Sequence, residues 1–435
     1  SGPGIQNSSL KALELRARGF ANEEKLVSIS IDEMSLKCHT KYDRSKDKII
    51  GVEDFGDENR KPLIASYATV IMVQGIIGRH WSQPLAYFFT ASGCSGDISK
   101  KYLFEAISSL QSIGLTPVSL VCDQGSNFIN LYSKCLQVSK DKPYFEVNGQ
   151  EIVCFNDSPH LLKSARNCIE RQNADVIFKG GSVKWGDIAH LYELQRSSVF
   201  KCTYKIKKEH IYLPPFGKMA VRLAAQVLSN SVSSCLCILY GSGLIDQKLY
   251  SNIPNTAEYC QFFNDIFDLF NSSSSSSKNP LKQPFKGSET QLDFIRDAKI
   301  TLDNIKINDL KDGKDLKNSY HFIRGWLQNL SALERLRKNL LKVGVSEFCT
   351  RRLCQDELEH FFGSIRRGGG NSPSITPFMF MCQFKKRWGL KYLDVVSSGN
   401  CEPLALVEAV REHERSIEIV SNDSIIQDLS WQTEL

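Results

Sequence analysis

The chain of 435 residues carries 54 Lys and Arg against 48 Asp and Glu, a formal charge of +6, and is 42% hydrophobic, which excludes a disordered or fibrous protein and leaves room for more than one core. The mild basic excess permits a polyanionic partner, while fourteen scattered cysteines without a CxxC pair or zinc-site spacing are expected to be free thiols in a reducing compartment. No run of about 18 apolar residues suggests a membrane span.

Residues 1–26 are expected to be a tag remnant, Ser1-Gly2-Pro3, and an entry segment holding at most a short helix. From Val27 the pattern changes. Val27, Ile29 and Ile31 alternate with Ser28, Ser30 and Asp32, the period of a half-buried strand that carries Asp32. If that strand is regular, Glu33 points to the opposite face and stays outside any site built on Asp32. Strand-like runs near 47–56, 65–77 and 84–90 follow and suggest an antiparallel meander. A helix is expected from Asp97 to Ile113, capped by Asp97 or Ser99. PVSLVCD is then an unbroken apolar run ending at Asp123, the pattern of a central strand covered on both faces. After a helix from about Asn127 to Leu136, EIVCF at 151–155 is another short strand. It runs into a helix that Asp157 or Ser158 caps and Pro159 opens.

Three antiparallel strands, a helix, a strand, a helix and a strand, with acids on the first and fourth strands, is the order of a ribonuclease H-like α/β fold with a mixed sheet. Chemistry at such a place is simple to state. Two divalent ions about 3.5 to 4 Å apart activate a water or a 3′-hydroxyl and steady the leaving oxygen of a phosphodiester. Magnesium prefers hard carboxylate oxygens, so two or three acids from different elements are needed. Asp32 and Asp123 supply two, and a third could come from a helix late in the chain. In the stretch from Thr350 to Trp388, Leu358, Phe361, Phe362 and Ile365 recur at helical spacing, so that face is buried, and Glu359 stands at its edge with Arg366 two turns on. Gly368, Gly369 and Gly370 end that helix. Arg366, Arg367, Lys385, Lys386 and Arg387 then form a basic region interleaved with Phe384 and Trp388, a pattern suited to phosphates and, through the aromatics, to unpaired bases.

Between the last core strand and the Glu359 helix lie far too many residues for a loop, so an inserted, mainly α-helical domain is expected. Its helices fall near 219–228, 233–239, 257–270, 289–305 and 320–341, with flexible loops at the serines of 272–277 and at 308–318. The expected domains are therefore 27–180 and 346–400 for the two parts of the core, 181–345 for the insertion, and 401–435 for a carboxyl-terminal helix and tail.

SIDEMSLK, CDQGSNF, FNDSPHLLKSARN, LCQDELEHFFGSIRRGGG and SITPFMFMCQFKK together resemble the P element transposase family, which includes the THAP-domain transposase relatives in animals. The resemblance runs from Val27 to about Trp388. It implies a ribonuclease H-like DNA transposase core that cuts DNA and joins a 3′-hydroxyl to target DNA with magnesium, or manganese in its place, on Asp32, Asp123 and Glu359. It implies Glu359 rather than Glu357 or Asp356, because Glu359 stands directly before His-Phe-Phe-Gly. Asp356 then becomes a supporting or cofactor-domain contact. From the residues themselves, Asp157 and His160 are candidates for an acid and a base, with Asp157 as an ordinary helix cap the alternative and His160 also placed to steer a phosphate or organise the acids. The resemblance also implies GTP on the insertion, with Phe267 stacking on guanine, Asp268 accepting from its N1 and N2 edge, Asn271 reaching the base or sugar, and Lys205 near the phosphates. Ala220 stands where the family can carry a second lysine, which weakens the phosphate grip. Transposon-end and target DNA, a homo-oligomer in the full-length protein, a nuclear setting and no membrane complete the expectation. The amino-terminal THAP module and coiled coil of the family are not visible in this sequence. A domesticated, catalytically silent DNA-binding or interaction scaffold is the alternative, and nicking lost in Glu359→Gln separates the two.

Overall fold

The computed structural model describes residues 2–396 apart from 45–46, 57–58, 172, 198–201, 244, 274–276 and 370–373; the expected tail at 401–435 and Gly370 lie outside the described residues. The chain opens with β1 (Gly4–Ile5) and α1 (Asn7–Ala17). In this entry segment Gly4 and Ile5 pair with Tyr87 and Ala86, and the Ser9 hydroxyl donates to the Pro84 carbonyl.

The meander follows as β2 (Leu26–Ser35), the β3–β4 hairpin (Lys41–Asp43, Lys48–Ile50), β5 (Val52–Asp54), β6 (Arg60–Ile64), β7 (Tyr67–Gly75) and β8 (Ser82–Thr90). Then come α2 (Gly96–Ser112), β9 (Thr116–Cys122), α3 (Ser126–Asn130), β10 (Tyr144–Val147), β11 (Gln150–Asn156) and α4 (Ser158–Glu170). Helix α2 is capped by the Ser95 side chain, which accepts from the Ile98 amide, so the cap falls before Asp97 and Ser99. Nine strands make one mixed sheet in the order β10-β11-β9-β2-β7-β8-β5-β6, with β1 alongside β8. β2, β9 and β11 run parallel and the meander antiparallel. This is a ribonuclease H-like sheet.

Both faces of it are covered. Strand β2 is central, and Ser28 and Ser30 are as buried as Ile29 and Ile31, which corrects the half-buried strand expected from alternation. One face packs on α1, α2 and α3 through Ile29, Leu103 and Phe128. The other face is shared by late elements: α11 (His321–Lys342) on β11, and α12 (Asp356–Gly368) with α13 (Pro377–Val396) on β7 and β8. Alternation cannot report a second cover that arrives about 300 residues later in sequence.

The insertion adds β12 (Ala174–Phe178), β13 (Gly181–Val183), α5 (Trp185–Ser197), α6 (Lys208–Ile211), α7 (Val221–Val227), α8 (Asn230–Gly241), α9 (Ile253–Phe270), α10 (Glu289–Asn304) and β14 (Lys306–Asp309). It is mainly helical, but β14 pairs with β12, so the loop expected from residue 308 begins as a strand. Helix α11 lies inside the expected span 181–345, yet it belongs to the main sheet: Asn329 exchanges hydrogen bonds with the Asn156 backbone at 2.7 Å in each direction. Ser272, placed by composition in a flexible loop, is buried with its hydroxyl 2.8 Å from that of Thr350. By composition, Val221–Gly241 is long and apolar enough to cross a membrane, contrary to the expectation from sequence. It is divided where the Ser229 side chain caps α8, and Leu223, Leu236 and Leu239 join the interior. All thirteen described cysteines are free thiols.

Candidate active site

Three parallel strands set the site. In the last aligned row Ile31 pairs with Cys122, and Cys122 with Asn156. The next residue on each strand is an acid: Asp32, Asp123 and Asp157. They stand side by side at the carboxyl edge, where open α/β sheets carry their chemistry. Asp32 and Asp123 each take one local hydrogen bond, Asp32 from the Glu33 amide at 2.7 Å and Asp123 from the Gly125 amide at 2.8 Å. Burial, followed by the charge of Asp123, pushes the Asp32 carboxyl up to about 7.

Helix α12 brings the third acid over this edge. Its apolar stripe is out of solvent, as the spacing demands, and Glu359 is exposed beside it. The Glu359 carboxylate lies 3.7 Å from His160 Nδ1. Burial raises its pKa, His160 lowers it, and Asp157 raises it again. Neighbouring acids are engaged elsewhere. Glu357 accepts from the Ser82 hydroxyl at 2.6 Å and faces His80, and Asp356 pairs with Arg351 at 3.4 Å.

Asp157 caps α4, accepting from the His160 amide at 3.2 Å and from His160 Nδ1 at 2.6 Å. With Glu359 these two residues form a compact group of the kind that holds a cation. Burial alone would lower the His160 pKa, but the hydrogen bond and charge of Asp157 outweigh it and leave it raised. Glu33 does face the other side, where it accepts from the Cys94 amide, Thr69 and Asn127.

Two residues escaped the sequence. Lys163, one turn after His160, has its ammonium pKa lowered by burial and pulled back by the charges of Glu359, Asp157, Asp123 and Asp32, so it is the cation among these acids. Gln355 is fully buried between β2 and α12. The spacing His160 to Lys163 was a legible signal for the first, since i and i+3 share a helix face; nothing in the sequence pointed to the second.

The insertion residues lie apart from this row. Phe263 and Phe270 are core, whereas Phe267 is half-buried. Asp268 is buried at the end of α9, with Oδ1 3.1 Å from Lys282 Nζ and Oδ2 accepting from Asn264 and Asn279 at 3.1 Å each. Asn271 follows as the half-buried end of that helix. Lys205 is exposed, its ammonium 5.6 Å from the centre of the Tyr204 ring. In the basic region Arg366, Arg367 and Lys386 are exposed and Lys385 and Arg387 half-buried. Phe384 and Trp388 are 2% and 6% exposed. Phe384 lies 4.6 Å from Tyr87 and 5.5 Å from Phe361, so these aromatics are core and are not presented to bases.

Comparison with known proteins gives one answer from sequence and structure. Residues 1–136 match the family model "TNP-like, RNase H N-terminal domain" and residues 159–284 match "TNP-like, GTP-binding insertion domain". The chain is 27% identical over 373 residues to the Transposable element P transposase of Drosophila melanogaster, covering 85% of this chain and 46% of that protein. It is 28% identical over 402 residues to the human DNA transposase THAP9, covering 87% and 42%. The chain thus spans less than half the length of either relative. Among solved structures, the Drosophila P element transposase strand transfer complex is similar with a TM-score of 0.75 at 25% identity, over 92% of this chain and 82% of that one.

Proposed function

We propose that this chain, a homologue of the P element and THAP9 transposases with a TNP-like ribonuclease H domain and insertion domain, is the catalytic core of a DNA transposase. It cuts a phosphodiester by hydrolysis and joins a 3′-hydroxyl to target DNA at the same acids, within a nuclear homo-oligomer. The observation that carries this reading is the aligned row ending in Asp32 and Asp123, with Glu359 delivered over it from α12.

The donor set fits divalent metal. Burial, and then the neighbouring carboxylate of Asp123, lets Asp32 hold its proton up to about 7, and a cation is what would discharge this cluster of hard oxygens. Asp32, Asp123 and Glu359 would hold magnesium, which when bound supplies Lewis-acid activation and charge neutralisation at the phosphate. Asp32 must first release its proton, and Lys163 offsets the remaining negative charge. The ring of His160, held by Asp157, stays at the edge of the acid cluster as a group able to donate to a phosphate oxygen. Arg366 and Arg367, exposed in the last turn of α12, bind the DNA backbone beside it, helped by Lys385, Lys386 and Arg387 on α13.

The insertion is read as a guanine-nucleotide module. Phe267 and Asn271 are accessible enough to contact a base. Asp268 accepts a guanine edge once Lys282 swings away from Oδ1, which its half-exposed side chain allows. Titration with GTP that gives neither heat nor thermal stabilisation removes this part. The main test is nicking and strand transfer on transposon-end DNA with Mg2+ or Mn2+. Activity in the wild type that disappears in Glu359→Gln is expected. Equal activity of the two, or none with any divalent ion on a full-length protein, leaves the scaffold alternative.

A further inference from the structure

Asp157 is tied to every element that carries one of the three acids. Its amide donates to the Cys122 carbonyl at 2.8 Å, next to Asp123. Its Oδ1 accepts from the Gln355 amide at 2.8 Å, and the Gln355 carbonyl accepts from the Glu359 amide at 2.9 Å. Gln355 in turn donates through Nε2 to the Ile31 carbonyl at 2.6 Å, next to Asp32. Its Oε1 is buried with no described protein partner. Asp157 is 1% and Gln355 0% exposed. Both are therefore polar groups held out of solvent for the contacts they make, a costly placement unless those contacts are kept.

We propose that Asp157 and Gln355 are positioning residues, a strut that seats the start of α12 on β2 and β9 and so places Glu359 against Asp32 and Asp123. A helix start needs acceptors for its free amides, and here the acceptor for the Gln355 amide comes from another element of the core. Asp157 also fixes the ring of His160, because its Oδ2 accepts from Nδ1 and leaves Nε2 as the nitrogen free to act, a donor when the ring is protonated. Arrangements of this kind, where an outer carboxylate or amide sets the aim of the acting groups, change metal affinity about 10 to 100-fold when broken.

The metal arm of the test rests on the transposase reading; the exchange arm does not. Hydrogen exchange of residues 355–363 is followed by mass spectrometry in the wild type, Gln355→Met, Asp157→Asn and Asp157→Ala, and Mn2+ affinity by electron paramagnetic resonance in the same set. Gln355→Met loses the bond to Ile31 and should exchange about 10-fold faster there, with Mn2+ affinity lower by about 10-fold or more. Asp157→Asn keeps an acceptor for the Gln355 amide, so α12 should stay protected while the 15N shifts of the His160 ring report its changed tautomer. Asp157→Ala should move both. Arg335→Met, which breaks the contact of α11 with Glu151, should lower stability without altering α12 exchange or Mn2+ affinity. If Gln355→Met leaves α12 protection as in the wild type, the strut is wrong, whatever the metal does. If protection falls but the wild type binds no Mn2+, the strut stands and the metal reading fails. Should Asp157→Ala not fold, Gln355→Met and Asp157→Asn decide.

Discussion

Two acids drawn into the fold, the half-buried Asp32 of the sheet and the buried Asp268 of the insertion, have been given opposite surroundings. Burial raises the pKa of both. Around Asp268 the chain then supplies Lys282 and two asparagine amides, so the charge is matched from inside. Around Asp32 it supplies the Glu33 amide and the more distant charges of His160 and Lys163, and, against them, Asp123 and Glu359. One carboxylate is satisfied; the other is left in deficit. Carboxylates left in such a deficit cluster at functional sites, so the contrast points to Asp32 as an acid that takes a partner from outside the chain, while Asp268 meets its first partners within it.

The largest effect expected from this contrast is on rate. Glu359→Gln removes a charge from the deficient cluster while keeping the side chain's size, and cleavage should fall on the order of 10³-fold, as when a group essential to transition-state charge is lost. Single-turnover nicking measures it, with the circular dichroism spectrum unchanged. Retained cleavage would put the third acid elsewhere.

The next effect is on stability and has a sign that depends on pH. Asp32 titrates at about 7 in the fold against 3.8 as the reference value, so folding takes up a proton between these values. The stability of the protonated form is fully present below about 4 and is lost as pH rises through 7. Asp32→Asn cannot ionise. It should therefore be more stable than the wild type at pH 8, on the order of 1–3 kcal/mol without divalent ions, with the gain vanishing near pH 4. Thermal unfolding at the two pH values checks it. Adding Mn2+ should stabilise the wild type and not the variant, closing the gap. At Asp268 the sign reverses: Asp268→Ala takes the acceptor from Asn279 and one of two from Asn264 and should cost about 1–2 kcal/mol at neutral pH, limited because Lys282 can turn to solvent. If both variants move stability in one direction, the contrast between the two acids is false.

What the sequence disclosed follows the same division. The strand alternation at Val27–Asp32 and the apolar run ending at Asp123 exposed the two strand acids, because period and burial are local. The apolar stripe Leu358, Phe361, Phe362, Ile365 located α12 for the same reason. Register was not legible. Nothing local says that Ile31, Cys122 and Asn156 share one row, so Asp157 read as a helix cap when it is also the neighbour of two site acids. The role of Gln355 depends on that row and was hidden with it, whereas the i, i+3 spacing from His160 already put Lys163 on the same helix face. Misreadings came from composition standing in for packing. Phe384 and Trp388 among basic residues look like stacking platforms, but both are buried and β8 offers Tyr87 as the partner of Phe384. Ser272 in a serine run looks like linker, but Thr350 claims its hydroxyl. In each case the deciding neighbour is more than 70 residues away along the chain.

The smallest effect concerns the cations that remain outside the core. Arg366 is exposed in the last turn of α12, where its charge also suits the helix carboxyl end, worth about 0.3–1 kcal/mol. Arg366→Ala should therefore leave thermal stability within about 1 kcal/mol of the wild type. Toward DNA, loss of one phosphate contact should weaken binding a few-fold, uniformly across sequences, and reduce the slope of log affinity against log salt by about 1. Fluorescence anisotropy with duplexes of two unrelated sequences across a salt series measures both. A slope that stays unchanged means that the DNA path does not cross the end of α12, and the exposed Lys386 on α13 becomes the next residue to remove. A loss confined to one of the two sequences would instead make Arg366 a reader of bases.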